Sequence, residues 1–458
     1  MITLRDYQNT AVDALRNSYR TGNRRPLLVS PTGSGKTVLF SYMASEAKRR
    51  GNRVMILAHR AELLDQISRT LRDFTVPHGF IAPGFPNDGR FDVQVASVFA
   101  LARRINRVKQ PDLIIIDEAH HAIANSTWGK IIEAWPEARV LGVTATPCRL
   151  SGDGLGDVFD DLVHGPTVAE LIELGSLSPY RLFAPNPINL TGVHIRAGDY
   201  VKGELAAAVD KPSITGDAIR EYSRRANGKR AVVFCISVEH AVHVAAQFKA
   251  AGYSAASIDG GMERTERKRI NDAFSAGSIQ ILTSCDLISE GYDLPAIEVA
   301  ILLRPTQSLS LYLQQVGRAL RIFPGKTEAV ILDHAGNAFR HGLPDDDRDW
   351  SLDGTKNSKR ERDPDDIPVK SCPKCLAAVR SISQTCKHCG HVFEVRAREI
   401  VQVEGELQEI DKDAMRRQIR REQASAKTMD DLIALGASRG YKNPRAWAQH
   451  VFNARQRA

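Results

Sequence analysis

Short apolar runs alternate with amphipathic stretches over the first three quarters of the chain. Each run has five residues, and most contain two or more β-branched side chains, which is typical of strands buried on both faces of a parallel sheet. The runs of the first unit are 26–30, 54–58, 93–97, 113–117 and 140–144. The pattern restarts after 227–229, with runs at 231–235, 279–283, 299–303 and 329–333 and helical spacing from Val238 to Ala251. An α/β fold with two tandem parallel-sheet domains is therefore predicted.

The segments outside these units lack the alternation. Residues 343–347 and 359–364 are charged and poor in apolar side chains, which is typical of a linker, and the end of the chain is helical in pattern. The predicted division is a first α/β domain over 1–165, a connector over 166–225, a second α/β domain over 226–340, a charged linker over 341–369, a small metal ribbon over 370–393 and a basic helical tail over 394–458.

The positive net charge of the chain indicates a polyanionic partner. The 458 residues are 43% hydrophobic and 25% charged, as expected of a globular protein of about three domains, and the net charge is +8. Residues 414–458 hold ten Lys and Arg against three Asp and Glu, a net of +7, so the excess is concentrated in the tail. No signal-peptide core and no apolar run of membrane-spanning length is present, so a cytoplasmic, nucleoid-associated protein without a membrane partner is expected.

A phosphate-binding loop follows the first predicted strand. Its sequence, Ser30-Pro31-Thr32-Gly33-Ser34-Gly35-Lys36-Thr37, leaves a strand and opens a helix, so its backbone N–H groups can face phosphate oxygens. Lys36 can reach the β- and γ-phosphates, and the Thr37 hydroxyl can bind Mg²⁺. Ser30 stands where the strict motif has glycine. The competing interpretation, a glycine-rich turn, does not account for the strand before the loop and the helix after it.

An acidic pair follows the strand 113–117. Asp117 and Glu118 end this run, and carboxylates at such a strand end lie at the ligand-binding edge of a parallel sheet. Asp117 can hold Mg²⁺, and Glu118 can orient and deprotonate the attacking water. A solvated acidic turn is the alternative, and the phosphate loop upstream in the same unit argues against it. The sequence therefore predicts a site that binds ATP together with Mg²⁺ and hydrolyses the ATP.

Four of the seven cysteines form one cluster. Cys372, Cys375, Cys386 and Cys389 give two CxxC pairs separated by ten residues, a spacing that points four thiolates at one tetrahedral Zn²⁺. His388 is a further potential ligand, but four cysteines already fill the site. The ribbon either contacts nucleic acid or a protein partner, or only staples the local fold, and both interpretations stay open.

These elements together resemble the superfamily 2 helicases of the DEAH-box kind, over about residues 1–340. The resemblance implies two RecA-like domains with ATP between them. In the first domain it implies that Arg5 and Gln8 contact the adenine, and that Arg60 and Ser97 contact nucleic acid. It also implies that three residues couple hydrolysis to domain movement. They are His120, which follows the acidic pair, and Thr144 and Thr146 of the motif 144–147.

The second domain carries the remaining motifs of the resemblance. Thr283 is implied as a nucleic-acid contact, and Gly291 and Asp293 of the stretch 290–295 as nucleotide contacts. The stretch 314–321 resembles the arginine-finger motif. The implied catalytic residues there are Gln314, Arg318 and Arg321, and the two arginines, one helical turn apart, are expected to face the γ-phosphate.

A narrower resemblance is to the RadD-like DNA-repair helicases of bacteria and phages. It rests on the stretches 59–63 and 332–337 and on the cysteine ribbon soon after the motor. The function it implies is an ATP-dependent DNA helicase or translocase in repair, recombination or replication, with DNA favoured over RNA and a protein partner reached through the ribbon or the tail. The alternatives are an RNA helicase, the motor of a restriction or defence complex, and an accessory factor that uses ATP as a switch.

Overall fold

The computed structural model describes residues 3–353 and 369–393 except 87, 150–151, 185–192, 197–198, 202, 206–211, 286–293 and 295–296, together with single residues and short stretches between 422 and 452. Residues 1–394 form one compact unit and residues 395–458 another. The first unit contains two lobes, each built on its own parallel sheet.

Lobe 1 is a seven-stranded sheet with helices packed on both faces. Its elements are α1 (Asp6–Arg20), β1 (Pro26–Val29), α2 (Lys36–Arg49), β2 (Val54–Ala58), α3 (Ala61–Asp73), β3 (Gly79–Ile81), β4 (Val93–Ser97), α4 (Val98–Ala102), β5 (Leu113–Asp117), α5 (Thr127–Ala134), β6 (Arg139–Thr144) and β7 (Asp161–His164). The strands pair in parallel in the order β3-β4-β2-β5-β6-β1-β7. All five predicted strands of this domain are present. The sheet also contains two strands that the sequence pattern does not predict, β3 and β7, which lie at its edges.

Lobe 2 is a six-stranded parallel sheet in the order β12-β13-β11-β14-β15-β8. Its elements are α6 (Val168–Glu173), β8 (Tyr180–Phe183), the hairpin β9 (Ile195–Arg196) and β10 (Asp199–Tyr200), α7 (Pro212–Ala226), β11 (Ala231–Phe234), α8 (Val238–Ala250), β12 (Ala255–Ile258), α9 (Arg264–Ser275), β13 (Ile281–Ser284), β14 (Val299–Leu302), α10 (Leu309–Leu320), β15 (Ala329–Asp333) and α11 (Asn337–His341). The expected fold class, two RecA-like parallel-sheet domains, is confirmed.

Local chemistry explains where the helices of the motor begin and which face they bury. Ser237 and Ser308 cap α8 and α10, since each hydroxyl accepts a backbone N–H of the first turn. Along α3 the apolar side chains repeat every three or four residues and are buried against the sheet. Helix α10 differs because ten of its twelve residues are buried, so it runs through the interior of the unit 1–394 rather than over its surface.

The predicted connector 166–225 is more structured than expected. It supplies α6, β8 and α7 to lobe 2, and β8 pairs in parallel with β15 at the edge of that sheet. The run Tyr180–Phe183 is only four residues long and contains Arg181, so it carries a weaker strand signal than the central strands do.

The start of the predicted linker also has a structural role. The Leu352 carbonyl accepts the backbone N–H groups of Leu155 at 2.8 Å and of Gly156 at 3.0 Å, and its side chain packs against the core of lobe 1. Residues 343–353 therefore leave lobe 2 and return to lobe 1. The rest of that linker, 354–368, lies outside the described residues.

A ribbon of two antiparallel strands, β16 (Val369–Ser371) and β17 (Ala378–Arg380), packs on lobe 2. Val369 and Ala378 join the lobe 2 core, and the Arg380 Nε donates to Asp346 Oδ1 at 2.7 Å. In the separate unit 395–458, helix α12 (Met429–Ser438) packs Leu432 against Ala426 and Ala448. The arginines at 416, 417, 420 and 421 lie outside the described residues. Within the described part of the chain, no helix is both long enough and apolar enough to cross a membrane.

Candidate nucleotide cleft and metal site

The phosphate loop lies where lobe 1 meets lobe 2. Gly33 and Gly35 both adopt left-handed backbone conformations, with φ of +91° and +79°, and α2 begins directly after Gly35. A Cβ on Gly35 would lie 2.6 Å from the Gln8 side chain, and one on Gly33 would lie 2.8 Å from Leu177 of lobe 2. Only glycine fits these two positions, because both the φ angle and the space exclude a side chain.

Lys36 points back along its own loop. Its Nζ donates to the carbonyls of Ser30 at 3.1 Å and Pro31 at 3.2 Å. Burial lowers the pKa of Lys36, and the charges of Glu118 and Asp117 oppose that shift. The ammonium thus lies beside both carboxylates, where a phosphate chain would offer it stronger acceptors than two carbonyls do.

The N-terminal segment before α1 and its first turn pack on the phosphate loop. Gln8 is buried, and its amide donates to the carbonyls of Ser34 and Gly35, each at 3.3 Å. The Tyr7 hydroxyl also donates to the Ser34 carbonyl, at 3.0 Å, and receives a hydrogen bond from Arg5. Gln8, expected as an adenine contact, therefore braces the loop in this conformation, while Arg5 lines the cleft.

The acidic pair lies at the end of β5, at the same edge of the sheet as the phosphate loop. Asp117 and Glu118 are both buried, and Glu118 has a φ of +51°, which is uncommon outside glycine. Strained conformations of this kind persist where the surroundings enforce them, often at functional sites. Burial, and then the charge of Glu118, raise the pKa of Asp117, while Lys36 opposes the shift. A divalent cation between this carboxylate and Thr37 would relieve that repulsion.

A chain of polar contacts, a close Glu118–His120 approach followed by hydrogen bonds, leads from Glu118 towards lobe 2. His120 Nδ1 lies 3.4 Å from Glu118 Oε2 and 3.0 Å from Thr144 Oγ1. The Thr144 hydroxyl donates to the Thr146 carbonyl at 2.9 Å, and Thr146 Oγ1 lies 2.6 Å from Ser310 Oγ of α10. Sequence reasoning missed Ser310, because nothing in the first turn of a helix marks a serine as the partner of a residue 164 positions away.

Helix α10 brings the predicted arginines to the phosphate loop. A Cβ on Gly317 would lie 2.7 Å from the Thr32 Cβ, so the helix rests directly on the loop. Arg318 lies in the last helical turn, whereas Arg321 follows the helix end in extended backbone. Both arginines nevertheless line one cleft of about 460 Å³ together with Lys36, Asp117 and Glu118.

The cleft has the features that a nucleotide requires. It combines cations from both lobes with carboxylates from one, and the glycine backbone forms its floor. Gln314 is buried, and its Nε2 has no hydrogen-bond partner among the residues that the structure describes. A buried donor without a partner is costly, so a water beside it would be stabilising, but Gln314 is not among the residues that line the cleft.

The expected nucleic-acid contacts do not all lie at the surface. Arg60 occupies the N-terminal cap position of α3 after β2, and Ser97 ends β4 directly before α4, so both lie at the carboxyl edge of the lobe 1 sheet. Thr283 departs from the expectation, because its side chain is fully buried in β13 and its hydroxyl donates to the Ala241 carbonyl at 2.7 Å. Gly291 and Asp293 lie outside the described residues.

The four clustered cysteines form a site that can hold a metal ion. Their sulfur atoms all lie within 4.8 Å of one another, and the Cys372–Cys389 and Cys375–Cys386 sulfur pairs are 3.6 and 3.7 Å apart. Zn–S bonds of about 2.3 Å in a tetrahedron place sulfur atoms roughly 3.8 Å apart, so the spacing fits zinc and is too long for disulfides. His388 is not part of this cluster.

Two family models match the chain. The model of the type III restriction enzyme res subunit matches residues 1–149, and the model of the helicase conserved C-terminal domain matches residues 211–323. A 51.5 kDa protein of a Lactococcus phage is 36% identical over 394 residues, which cover 86% of this chain and 84% of the phage protein. The chain belongs to the superfamily 2 helicases. It is a nucleic-acid-dependent ATPase with the domain order of that superfamily.

More distant relatives agree with this assignment. A Saccharomyces cerevisiae protein provisionally named an ATP-dependent helicase is 32% identical over 355 residues, or 73% of this chain. This superfamily 2 chain spans about half of that yeast protein, 51% of its length. The fragment structure of a protein provisionally named the HsdR subunit of a type I restriction enzyme, from Vibrio vulnificus, superimposes with a TM-score of 0.58 at 22% identity, covering 75% of this chain and 68% of the other. The latter similarity supports the fold.

Proposed function

We propose that this helicase is a DNA helicase or translocase, which converts ATP hydrolysis into movement on DNA during repair, recombination or replication. The observation that carries the proposal is the cleft where Lys36 of lobe 1 and Arg318 and Arg321 of lobe 2 line one cavity. Because the cations come from different lobes, a triphosphate binds both only when the lobes are together. Hydrolysis then weakens the connection and lets the lobes part.

Each residue of the cleft has a role in this proposal. The glycine loop and Lys36 bind the phosphates, Glu118 orients and deprotonates the attacking water, and Arg318 and Arg321 stabilise the charge that develops on the γ-phosphate. Gln314 is buried one turn before Arg318 on α10 and does not line the cleft, so its proposed contact with the water or a phosphate oxygen requires the helix to shift when nucleotide binds. Mg²⁺, when bound by Thr37 and Asp117, neutralises phosphate charge. His120, Thr144 and Thr146 connect the hydrolytic carboxylate to lobe 2.

DNA is favoured over RNA because the matched model of residues 1–149 is named for a restriction enzyme subunit, a DNA-cutting system. The same match favours the second candidate, a motor within a restriction or defence complex. The stretches 59–63 and 332–337 and the position of the zinc ribbon after lobe 2 support a place near the RadD-like repair helicases. In this proposal the ribbon binds Zn²⁺ through its four cysteines and the chain works in the cytoplasm.

Steady-state ATPase tests the proposal. Wild type, Lys36→Ala and the control Arg49→Ala, which removes an exposed cation from the same helix, are assayed alone and with single-stranded, duplex and forked DNA and with RNA. We expect a DNA form to stimulate wild type and Arg49→Ala strongly and Lys36→Ala not at all. Stimulation by RNA alone would replace this proposal with an RNA helicase. Near-normal hydrolysis by Lys36→Ala would refute the assigned site, and co-purification of a nuclease would favour the defence complex.

A further inference from the structure

Two basic depressions lie at the amino edge of the lobe 1 sheet, opposite the edge that carries Arg60 and Ser97. The first has a volume of about 450 Å³ and the second about 690 Å³, and both are lined by Pro111. Their positions follow from topology, because the residues just before β2, β4, β5 and β6 all end at this edge of a parallel sheet. The C-terminal ends of α1 and α2 also reach it, and they line the second depression.

The first depression carries an excess of positive charge. Four cations line it against one carboxylate, Asp92; they are Arg53, Arg104, Arg107 and Lys109. Nearby Asp88 is already paired with Arg90 at 2.7 Å. Within the described part of the chain, no carboxylate lies within 4 Å of the cationic groups of Arg104, Arg107 or Lys109, all of which are exposed. These three charges are not used by the fold.

In the second depression, cations from outside pair with two of the three acidic groups. Its cations are Arg16, Arg20, Arg50 and Arg139, and its carboxylates are Glu46, Asp112 and Glu137. Arg49 pairs with Glu46 at 2.9 Å, Arg24 pairs with Glu137 at 3.3 Å, and Asp112 accepts the Arg53 backbone N–H at 2.7 Å. Arg16 is itself paired with Asp13 at 3.1 Å, and the surface that remains is cationic through Arg20, Arg50 and Arg139.

Helix dipoles explain only part of this arrangement. Arg20 in the last turn of α1 and Arg50 at the end of α2 lie where cations stabilise a helix end. Arg104, Arg107 and Lys109 follow the five-residue α4 in a short 3-10 turn and a loop, where no long helix ends. Binding of a polyanion therefore explains why these three cations converge on one depression, whereas a role in folding does not.

We propose that this surface, the amino-edge basic surface, binds the phosphate backbone of a duplex arm of the nucleic acid on which the motor acts. The inference rests on the proposed DNA-motor function and adds a second contact to it. The five-residue strand β5 spans roughly 16 Å, so one point on a strand held near Arg60 and Ser97 does not also reach the opposite edge. The amino-edge basic surface therefore holds a different segment.

Duplex is favoured over single strand because of what lines the surface. Single-strand grooves rely on aromatic side chains that stack on bases, whereas duplex affinity comes mainly from cations on phosphates. The described aromatic rings here are Phe91, which is 37% exposed, and Tyr19, which is covered by Arg139 at 5.3 Å from its centroid. Guanidinium groups predominate, and they bind phosphate oxygens in a bidentate manner.

The test removes the three unpaired charges in the full chain, as R104A/R107A/K109A. The control K249A/K268A/R269A removes three exposed cations from lobe 2, two of which pair with Asp272 and Glu266, so the net charge changes equally. Binding of labelled single-stranded, blunt duplex and forked DNA is measured by fluorescence anisotropy at several salt concentrations. The ATPase stimulated by single-stranded DNA is measured in parallel, and thermal unfolding checks that each variant is folded.

We expect the first variant to bind duplex and forked DNA roughly tenfold more weakly at physiological salt. The slope of log affinity against log salt should become shallower by about 2 to 3, since each phosphate contact contributes about 0.9. Single-strand binding and ATPase stimulation should match those of wild type and of the control. The variant R20A/R50A, at the second depression, should show a smaller loss of the same kind.

Equal loss in test and control variants, or no loss in either, would overturn the proposal. No loss of DNA binding together with loss of an acidic protein partner would assign the surface to protein instead. Loss of single-strand stimulation would show that the tracking strand itself lies here, which also contradicts the second-segment assignment. If wild type shows no stimulation by any nucleic acid, the DNA-motor function fails, and duplex anisotropy still tests the surface separately.

Discussion

Thr146 of lobe 1 and Ser310 of lobe 2 share a buried hydrogen bond, with 2.6 Å between their hydroxyl oxygens. Ser310 lies in the first turn of α10, the helix whose last turn carries Arg318 and which ends just before Arg321. Because α10 is buried over most of its length, a displacement of one end moves the other. The Thr146–Ser310 bond thus connects the acidic pair, through His120 and Thr144, to the helix that carries the arginines.

We predict that Ser310→Ala reduces the stimulation of ATPase by nucleic acid by roughly two- to tenfold, the equivalent of one hydrogen bond of about 0.5–1.5 kcal/mol. Basal hydrolysis and nucleic-acid affinity should be nearly unchanged. Ser308→Ala is the control, because Ser308 caps the same helix but does not make the contact with Thr146. Equal effects of the two substitutions would mean that helix stability, not the contact between lobes, sets the stimulation.

We predict that Glu118→Gln abolishes turnover while ATP still binds. The amide keeps the shape of the side chain but cannot accept the proton of the attacking water, and such catalysis contributes typically about 10²–10⁴-fold. The measurement compares kcat with the affinity for a fluorescent ATP analogue. Asp117→Asn is the companion variant, which should instead weaken Mg²⁺-dependent nucleotide binding. Full turnover by Glu118→Gln would require a different general base.

Local sequence predicts which side chains line the cleft, among them Lys36, Asp117 and Glu118, because they belong to short motifs. The phosphate loop and the acidic pair each occupy a few adjacent residues, and the strand before each motif fixes its edge of the sheet. Contacts between distant segments leave no such signal. Ser310 looks like an ordinary polar residue of a helix start, and the brace between Gln8 and the Ser34 carbonyl depends on packing of α1 against the loop.

Burial was also hard to predict where a strand carries a polar residue. Thr283 lies in a strand that is buried on both faces, and its hydroxyl donates to the Ala241 carbonyl, so a polar residue type does not imply a surface position.

The sequence does not predict strands β8 and β12 because Arg181 and Ser257 interrupt short apolar runs. Their partners in the sheet, not their own sequences, make them strands.

Lys326 holds the end of α10, and its protonation should affect stability. Its Nζ donates to the carbonyls of Ile297 at 3.0 Å, Arg321 at 2.8 Å and Ala319. Burial lowers the pKa of Lys326 to about 8 from the ordinary 10.5. Between these two values the unfolded chain binds more protons than the folded chain, so this group makes folding more favourable as the pH rises.

The expected result is that the thermal unfolding midpoint of wild type, relative to Lys326→Met, increases from pH 8 to pH 10. Below pH 8 the difference should stay constant, because the lysine is then protonated in both states. Lys268→Met is the control, since the Lys268 side chain is exposed on the surface of α9, where it pairs with Asp272. A difference that falls with rising pH would contradict the assigned direction.

Metal removal should destabilise lobe 2 as well as the ribbon. Ser371 Oγ donates to the Ala184 carbonyl at 3.3 Å, and Val369 and Ala378 complete the lobe 2 core, so loss of the ribbon fold exposes part of that core. We predict that replacing Cys372 and Cys375 with serine lowers the zinc content from one per chain to none and reduces the thermal unfolding midpoint.

Metal analysis measures the zinc content, and calorimetry measures the unfolding midpoint. Cys285→Ser, outside the cluster, should retain one zinc, and one zinc remaining in the double variant would exclude the proposed ligands.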